Sequence, residues 1–426
     1  METINQFRAY LDASVSAYHA AGNLADVLQA QGYTRLYEQE EWNLVPGGKY
    51  YFLRGDITLM AFRIPTAQPT GFMMSASHTD RPTFKIKENC ESGGNYVRLT
   101  TEGYGGMLIS TWLDRPLSVA GRVMVETEDG IVSRLIHLDR DLLLIPSVAI
   151  HMNRAANEGY KWNPNSDTVP LLGLKEDAGK FWPLVEQAAG GHVLGHDLYL
   201  YVRQPSTVWG IENSFISGPA LDDLACVWGT FQGFLNAGDS NAISVFCAFD
   251  SEEVGSDSPQ GAASDLLEVT LARICQARGL NLHTMLAQSF MISADNAHGV
   301  HPNHPELADA ANAPVLGKGV VLKFNASQRY TTDGLSAAVF RRVCARADVP
   351  VQTYANRPDI RGGSTLGHIS LSHVSVPTAD IGLPQLAMHS CYETAAVADL
   401  QYLERAMTEF YGTSLTRDRD GNFRLA

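Results

Sequence analysis

The stretch 71-GFMMSASHTD-80 decides the reading of the fold. A run of apolar residues stops abruptly at His78, Thr79 and Asp80. Open α/β proteins gather their reacting groups at such places, because ligands bind beyond the carboxyl ends of buried strands. A second run, 242-AISVFCAFD-250, behaves alike and leads directly into 251-SEEVG-255. Continuous apolar strands of this kind suit a sheet covered on both faces.

Working outward, TLMAFRI (58–64), TMLAQSFMISAD (284–295) and VVLKFN (320–325) are expected to supply further strands. Residues 1–31 have the spacing of one amphipathic helix, with Phe7, Tyr10, Leu11, Val15 and Tyr18 along one face. Helices are also predicted over 266–280 with a stop at Gly279, over 335–347, and over 395–410.

The texture changes between about 88 and 206. NYVRLTT, LISTWL, LSVAGRVMVE and GIVSRLIHL are short, β-branched and punctuated by Gly, Asp and Pro, which predicts an antiparallel β domain. KWNPNSDTVP (161–170) is read as a loop. The expected fold class is α/β. A mixed-sheet catalytic domain is formed by residues 1–87 and 207–426, with an antiparallel β domain, residues 88–206, inserted in it.

Composition narrows the function classes. The 426 residues carry a net charge of −14, which gives no long-range attraction for nucleic acid and repels acidic substrates at a distance. Any acidic preference therefore needs a local cation. No apolar run reaches spanning length, and the opening stretch lacks the basic start and apolar core of a leader, so a cytoplasmic protein is expected. Six widely separated cysteines with no CxxC read as reduced, mostly buried thiols.

Five short motifs each end or follow a predicted strand: SHTD (77–80), LDD (221–223), DSEEVG (250–255), SADNAH (293–298) and MHS (388–390). They supply His78, Asp222, Glu253, Asp295 and His389 as candidate metal ligands. Two imidazoles and three carboxylates suit two zinc ions that share one carboxylate. Singly, each residue has an ordinary structural explanation: a hydrogen-bonded core histidine, a helix cap, a solvated acidic pair or a loop histidine. Five together at strand ends favour the metal.

With these motifs in place the sequence resembles the aspartyl aminopeptidase family of co-catalytic zinc metallopeptidases. The resemblance spans nearly the whole chain and includes YGGMLISTWLDRPLSVAGRV (104–123), IHMNRAANEG (150–159), LKFNASQRYTTDG (322–334) and DIRGGSTLG (359–367). It implies that His78 and Asp295 hold one zinc, Glu253 and His389 the other, and that Asp222 bridges them. Cobalt or manganese would substitute at such sites. Asp80 would orient His78, and Glu252 would act as general base. His151 would reach the active site of a neighbouring subunit. Lys323 would face the acidic side chain of the substrate, with His298 and Tyr330 beside it. On its residues alone, Lys323 either snorkels outward or is held inward for an anion.

The resemblance also implies a cis Asp222–Asp223 bond and self-assembly of dimers into a dodecamer through the inserted domain. The substrates would be peptides with a free acidic N-terminus, with no nucleic acid or membrane partner. Arg81 departs from the family, which often has a small polar residue after HTD, and His368 stands where Pro is frequent. Two other readings remain: a two-zinc carboxypeptidase or deacylase, which would call for a carboxylate-binding arginine, and an inactive assembly protein, which would have lost its ligands.

Overall fold

The computed structural model describes residues 2–360 and 362–426, so Arg361 of the DIRGGSTLG stretch lies outside the described residues. The larger body is built on a nine-stranded mixed sheet. At its centre Ile243–Phe249, Phe72–His78 and Phe290–Ala294 run parallel. Every residue of these three strands is buried, as their unbroken apolar runs require. Thr378–Gly382 continues the parallel set. Beyond it, Val320–Phe324 runs antiparallel to Thr378–Gly382 and parallel to Val351–Ala355. On the opposite flank Thr58–Arg63 pairs antiparallel with Ile243–Phe249 and with Lys49–Arg54.

Helices cover both faces. Leu221–Asn236 and Val397–Gly412 lie together over one, and the approach depends on Gly229 and Gly233, where a Cβ would collide with Leu403 and Met407. Leu266–Arg278 closes the other, joining a core with Met60, Phe62, Met74 and Val245.

The second body is a six-stranded sheet whose strand pairs are all antiparallel. Its outermost segments in sequence are Thr83–Ser92 and Val193–Val202. It has its own core, in which Phe181 and Val185 of the helix Phe181–Ala189 meet Phe84, Val119 and Leu198. The two bodies together give the α/β class with an inserted antiparallel sheet. Thr83 starts three residues past Asp80, so the inserted sheet grows directly out of the HTD motif.

Several local expectations need correction. The single helix over 1–31 is two, Glu2–Ala13 and Ala17–Ala30. Ser14 bonds back to the Tyr10 carbonyl, while Ser16 caps the second helix by accepting from the His19 amide. The five apolar residues named for this segment are all buried. LISTWL is not a strand: Ile109–Trp112 forms a 3-10 turn, with the Thr111 hydroxyl on the Leu108 carbonyl. The first part of TMLAQSFMISAD is helical, Leu282–Leu286, because Asn281 caps it, and only Phe290–Ala294 is strand. The KWNPNSDTVP loop contains one helical turn, Pro164–Asp167, started by Asn163 and proline. The six cysteines are free and buried, and among the described residues no helix is long and apolar enough to cross a membrane.

Candidate active site

The carboxyl ends of the three central strands converge. His78 closes Phe72–His78; Asp250 to Glu253 follow Ile243–Phe249; Asp295 follows Phe290–Ala294. Asp222 and Asp223 open the helix Leu221–Asn236 opposite them, joined by a cis peptide bond. His389 arrives on the loop after Pro384–Leu386, in a left-handed backbone conformation.

Among the described residues, two groups of side chains could each hold a metal ion. One is His78, Asp222, Asp223 and Asp295; the other is Asp222, Glu253 and His389. Asp222 belongs to both. His78 Nε2 is 3.6 Å from Asp222 Oδ1, and His389 Nε2 is 3.5 Å from both Asp222 Oδ2 and Glu253 Oε2. Asp222 Oδ1, Asp223 Oδ1 and Glu253 Oε1 are buried with no hydrogen-bond partner. Anionic oxygens shut away from water need a cation, so this donor set fits metal ions of zinc's preference.

The supporting contacts leave the ligand atoms free. Asp80 Oδ1 lies 3.3 Å from His78 Nδ1, which turns Nε2 toward Asp222. The same carboxylate accepts the amides of Glu252 and Glu253, each at 3.1 Å, and the Tyr104 hydroxyl at 2.8 Å. Burial opposes ionisation of Asp80, but His78, Tyr104 and the Glu253 amide together hold its pKa below the usual carboxylate range. Tyr104 ends a strand of the inserted sheet, Tyr96–Tyr104, and Gly106 follows two residues later on the loop that leaves it. The Gly106 carbonyl pairs with His389 Nδ1, leaving His389 Nε2 to face Asp222. The inserted sheet thus sets the orientation of groups in the other body.

Glu252 stands at the rim, with Oε2 4.0 Å from His78 Nε2. It belongs to neither metal group. Burial pushes its pKa up to about 8; His78 opposes this, and Asp295, Asp80 and Asp222 add to it. A carboxyl poised near neutrality can both take up and release a proton.

One cleft gathers most of the residues singled out from the sequence. His78, Asp222, Glu252, Asp295, Lys323 and His389 line it, together with His298 and Tyr330. Lys323 is held inward rather than snorkelling. It is buried, and its Nζ donates to the carbonyls of Asp295 at 2.7 Å and Asn296 at 3.3 Å, 5.2 Å from the Tyr330 ring centre. Burial works against its charge, but Asp295 and Asp380 outweigh burial and keep it protonated. His151 is not in the cleft; it sits on an exposed turn of the inserted sheet's long loop, beside Met152, which is 83% exposed.

Sequence reasoning missed three buried residues. Asp223 joins the first metal group and accepts the His78 amide. Glu393 accepts the amides of Asp222 and His389. Asn296 donates to the Leu221 carbonyl and to Gln385, tying the Asp295 loop to the Asp222 helix. Adjacency to a candidate ligand was the available signal for Asp223 and Asn296. A lone glutamate four residues past His389 offered little.

Comparison with known proteins agrees with this geometry. The family model described as aminopeptidase I zinc metalloprotease (M18) matches residues 10–411. A probable M18 family aminopeptidase 2 of Clostridium novyi (strain NT) is 40% identical over 423 residues, covering 96% of this chain and 98% of its own. A chain in the cryo-EM structure of the Ape4 and Nbr1 complex superposes with a TM-score of 0.92 at 33% identity, over 96% of this chain and 85% of that one. The S. cerevesiae mApe1 dodecamer superposes with a TM-score of 0.84 at 26% identity, over 96% and 95% of the two chains. The chain belongs to the M18 family of zinc metalloproteases and is a metal-dependent aminopeptidase.

Proposed function

We propose that this aminopeptidase uses two zinc ions, bridged by Asp222, to release Asp or Glu from peptide N-termini. The observation that carries the reading is the membership of Asp222 in both metal groups, with a buried lysine on the same cleft. Each ion would draw on one side of the cluster: His78 and Asp295 on one, Glu253 and His389 on the other. Bound there, the metals supply Lewis acidity and lower the pKa of water; cobalt or manganese could take zinc's place.

The remaining work falls to the chain. Glu252, outside both metal groups, takes the proton of the attacking water on its carboxylate and returns it to the leaving amine. Asp80 keeps His78 oriented and fixes the Glu252 backbone through its amide. Lys323, whose Nζ lies 3.7 Å from Asp295 Oδ1, offers a desolvated cation to the acidic side chain of the substrate once Asp295 is drawn onto a metal, and a neutral side chain would then leave that charge poorly matched. Tyr330 and His298 shape the wall beside it. His151, exposed on its loop, serves the cleft of a neighbouring subunit, so activity depends on assembly through the inserted dimerisation domain, residues 88–206. A dodecamer like the similar mApe1 assembly, working in the cytoplasm, fits this reading.

The test is hydrolysis of free-amine Asp, Glu, Leu, Ala and Lys substrates, with and without chelator. Chelator-sensitive release confined to Asp and Glu is expected. Broad release of neutral residues would remove the acidic specificity, and turnover only of N-blocked substrates would replace the reading with a deacylase.

A further inference from the structure

Asp380 lies in the middle of the strand Thr378–Gly382, buried between the core residues Ala379 and Ile381. A carboxyl group shut away there needs donors to replace water. Three arrive from two other segments of the chain. Its Oδ2 accepts the Thr331 N–H and, at 2.7 Å, the Thr331 hydroxyl. Its Oδ1 accepts the Thr365 hydroxyl at 2.7 Å. The Asp380 N–H donates in turn to the Thr332 hydroxyl at 2.8 Å.

Asp380 does not itself line the substrate cleft, but both segments that it holds do. Tyr330 stands just before Thr331, and Gly363 and Ser364 lead into Thr365. Neither segment is part of a strand. Residues 330–332 connect the strand Val320–Phe324 to the helix Gly334–Arg346, and residues 363–365 precede the helix Leu366–Ser370. His78 and Asp295, by contrast, end strands of the sheet. Two further bonds join the segments, from Arg329 Nη1 to the Gly362 carbonyl at 3.0 Å and from the Thr365 N–H to the Arg329 carbonyl at 3.4 Å. The approach needs Gly367, where a Cβ would stand 2.5 Å from Ser293 Cβ. Lys323 lies on the neighbouring strand. The antiparallel pair Leu322↔Ile381 brings it opposite Asp380 one step further along, on the same face of the sheet.

We propose that Asp380 is a positioning residue for substrate recognition. Its carboxylate clamps residues 330–332 to residues 363–365 and so fixes the cleft wall that receives the side chain of the substrate's N-terminal residue. A binding wall made of loops is only as precise as the hydrogen bonds behind it, and here both loops meet on one buried carboxylate. The inference rests on that cleft being the substrate's site, and it holds whether or not the side chain received is acidic.

The test is steady-state kinetics of assembled, zinc-loaded variants on whichever aminoacyl substrate the wild type releases fastest. Asp380→Asn keeps the shape and turns one acceptor into a donor. Thr331→Val removes one donor, Thr331→Ser restores it, and neither Asp380 nor Thr331 touches the cleft. KM is expected to rise about tenfold in Asp380→Asn and about threefold in Thr331→Val, with kcat within about twofold of the wild type, zinc content unchanged and Thr331→Ser close to the wild type. Should Asp380→Asn fold poorly, the Thr331 pair decides. An unchanged KM in Thr331→Val, an equal rise in Thr331→Ser, or a loss of kcat or zinc without a rise in KM would overturn the proposal. A wild type that prefers neutral residues would end the acidic reading and leave this comparison intact.

Discussion

Glu393 Oε2 accepts the main-chain N–H of Asp222 at 2.8 Å. Its other oxygen accepts the N–H of His389 at 2.7 Å. One buried carboxylate thus fixes two backbones whose side chains meet in the second metal group. Glu393→Ala frees both. Zinc affinity is expected to fall about ten- to a hundredfold, the usual effect of removing a group that orients ligands. Glu393→Gln, which keeps one acceptor, should lose less. Competition with a chromogenic chelator measures both, and unchanged affinity in Glu393→Ala would remove this role.

Glu252→Gln keeps the side chain's shape and removes its basicity. Because Glu252 lies outside both metal groups, zinc content should stay at the wild-type level. Turnover should fall roughly 10²- to 10⁴-fold. Loss of zinc in parallel with activity would instead make Glu252 a ligand.

Lys323→Met tests the source of acidic specificity. The kcat/KM for an aspartyl substrate should drop about a hundredfold, and that for a leucyl substrate much less. Lys323 Nζ also ties down the carbonyls of Asp295 and Asn296. Stability should therefore fall as well, by about 1–3 kcal/mol for acceptors left buried. Equal losses on both substrates would mean that the lysine only supports the Asp295 loop.

Much of this site could be read from the chain because its ligands end buried strands. His78 and Asp295 each terminate an apolar run, and Glu252 and Glu253 follow another within four residues of Phe249. Strand burial is a local pattern, so the alternation of apolar run and polar stop survives in one dimension. Glu393 is different. It precedes the apolar stretch AAVADL and reads as an ordinary acid before a helix; only the return of the strand Glu393–Ala396 beside Phe215–Gly218 buries it under Asp222. The break between the first two helices was missed for a related reason. The apolar face continues through residues 14–16, and competition from the Ser14 and Ser16 hydroxyls for backbone groups divides it. Leu282–Leu286 is one short turn, below the length at which a helical period becomes distinct from strand.

His19 gives a pH dependence whose sign follows from its surroundings. Burial, then the neighbouring His137 and Arg81, lower its pKa from 6.5 to about 4. Between those values the unfolded chain binds a proton that the folded chain refuses, so stability falls as pH drops through this window. The contribution is at most about 3 kcal/mol. His19→Gln removes the titration. Urea midpoints from pH 7 to pH 4 should decline less steeply in the variant, and parallel profiles would contradict the assignment.

The sharing of Asp222 by two metal groups is the centre of the account, and the zinc content of the assembled, active protein tests it most directly. Elemental analysis of protein equilibrated with zinc and freed of excess should find two ions per chain, and no more than one in Asp222→Asn. A fully active wild-type enzyme with one zinc per chain, or an Asp222→Asn variant that keeps both, would contradict it.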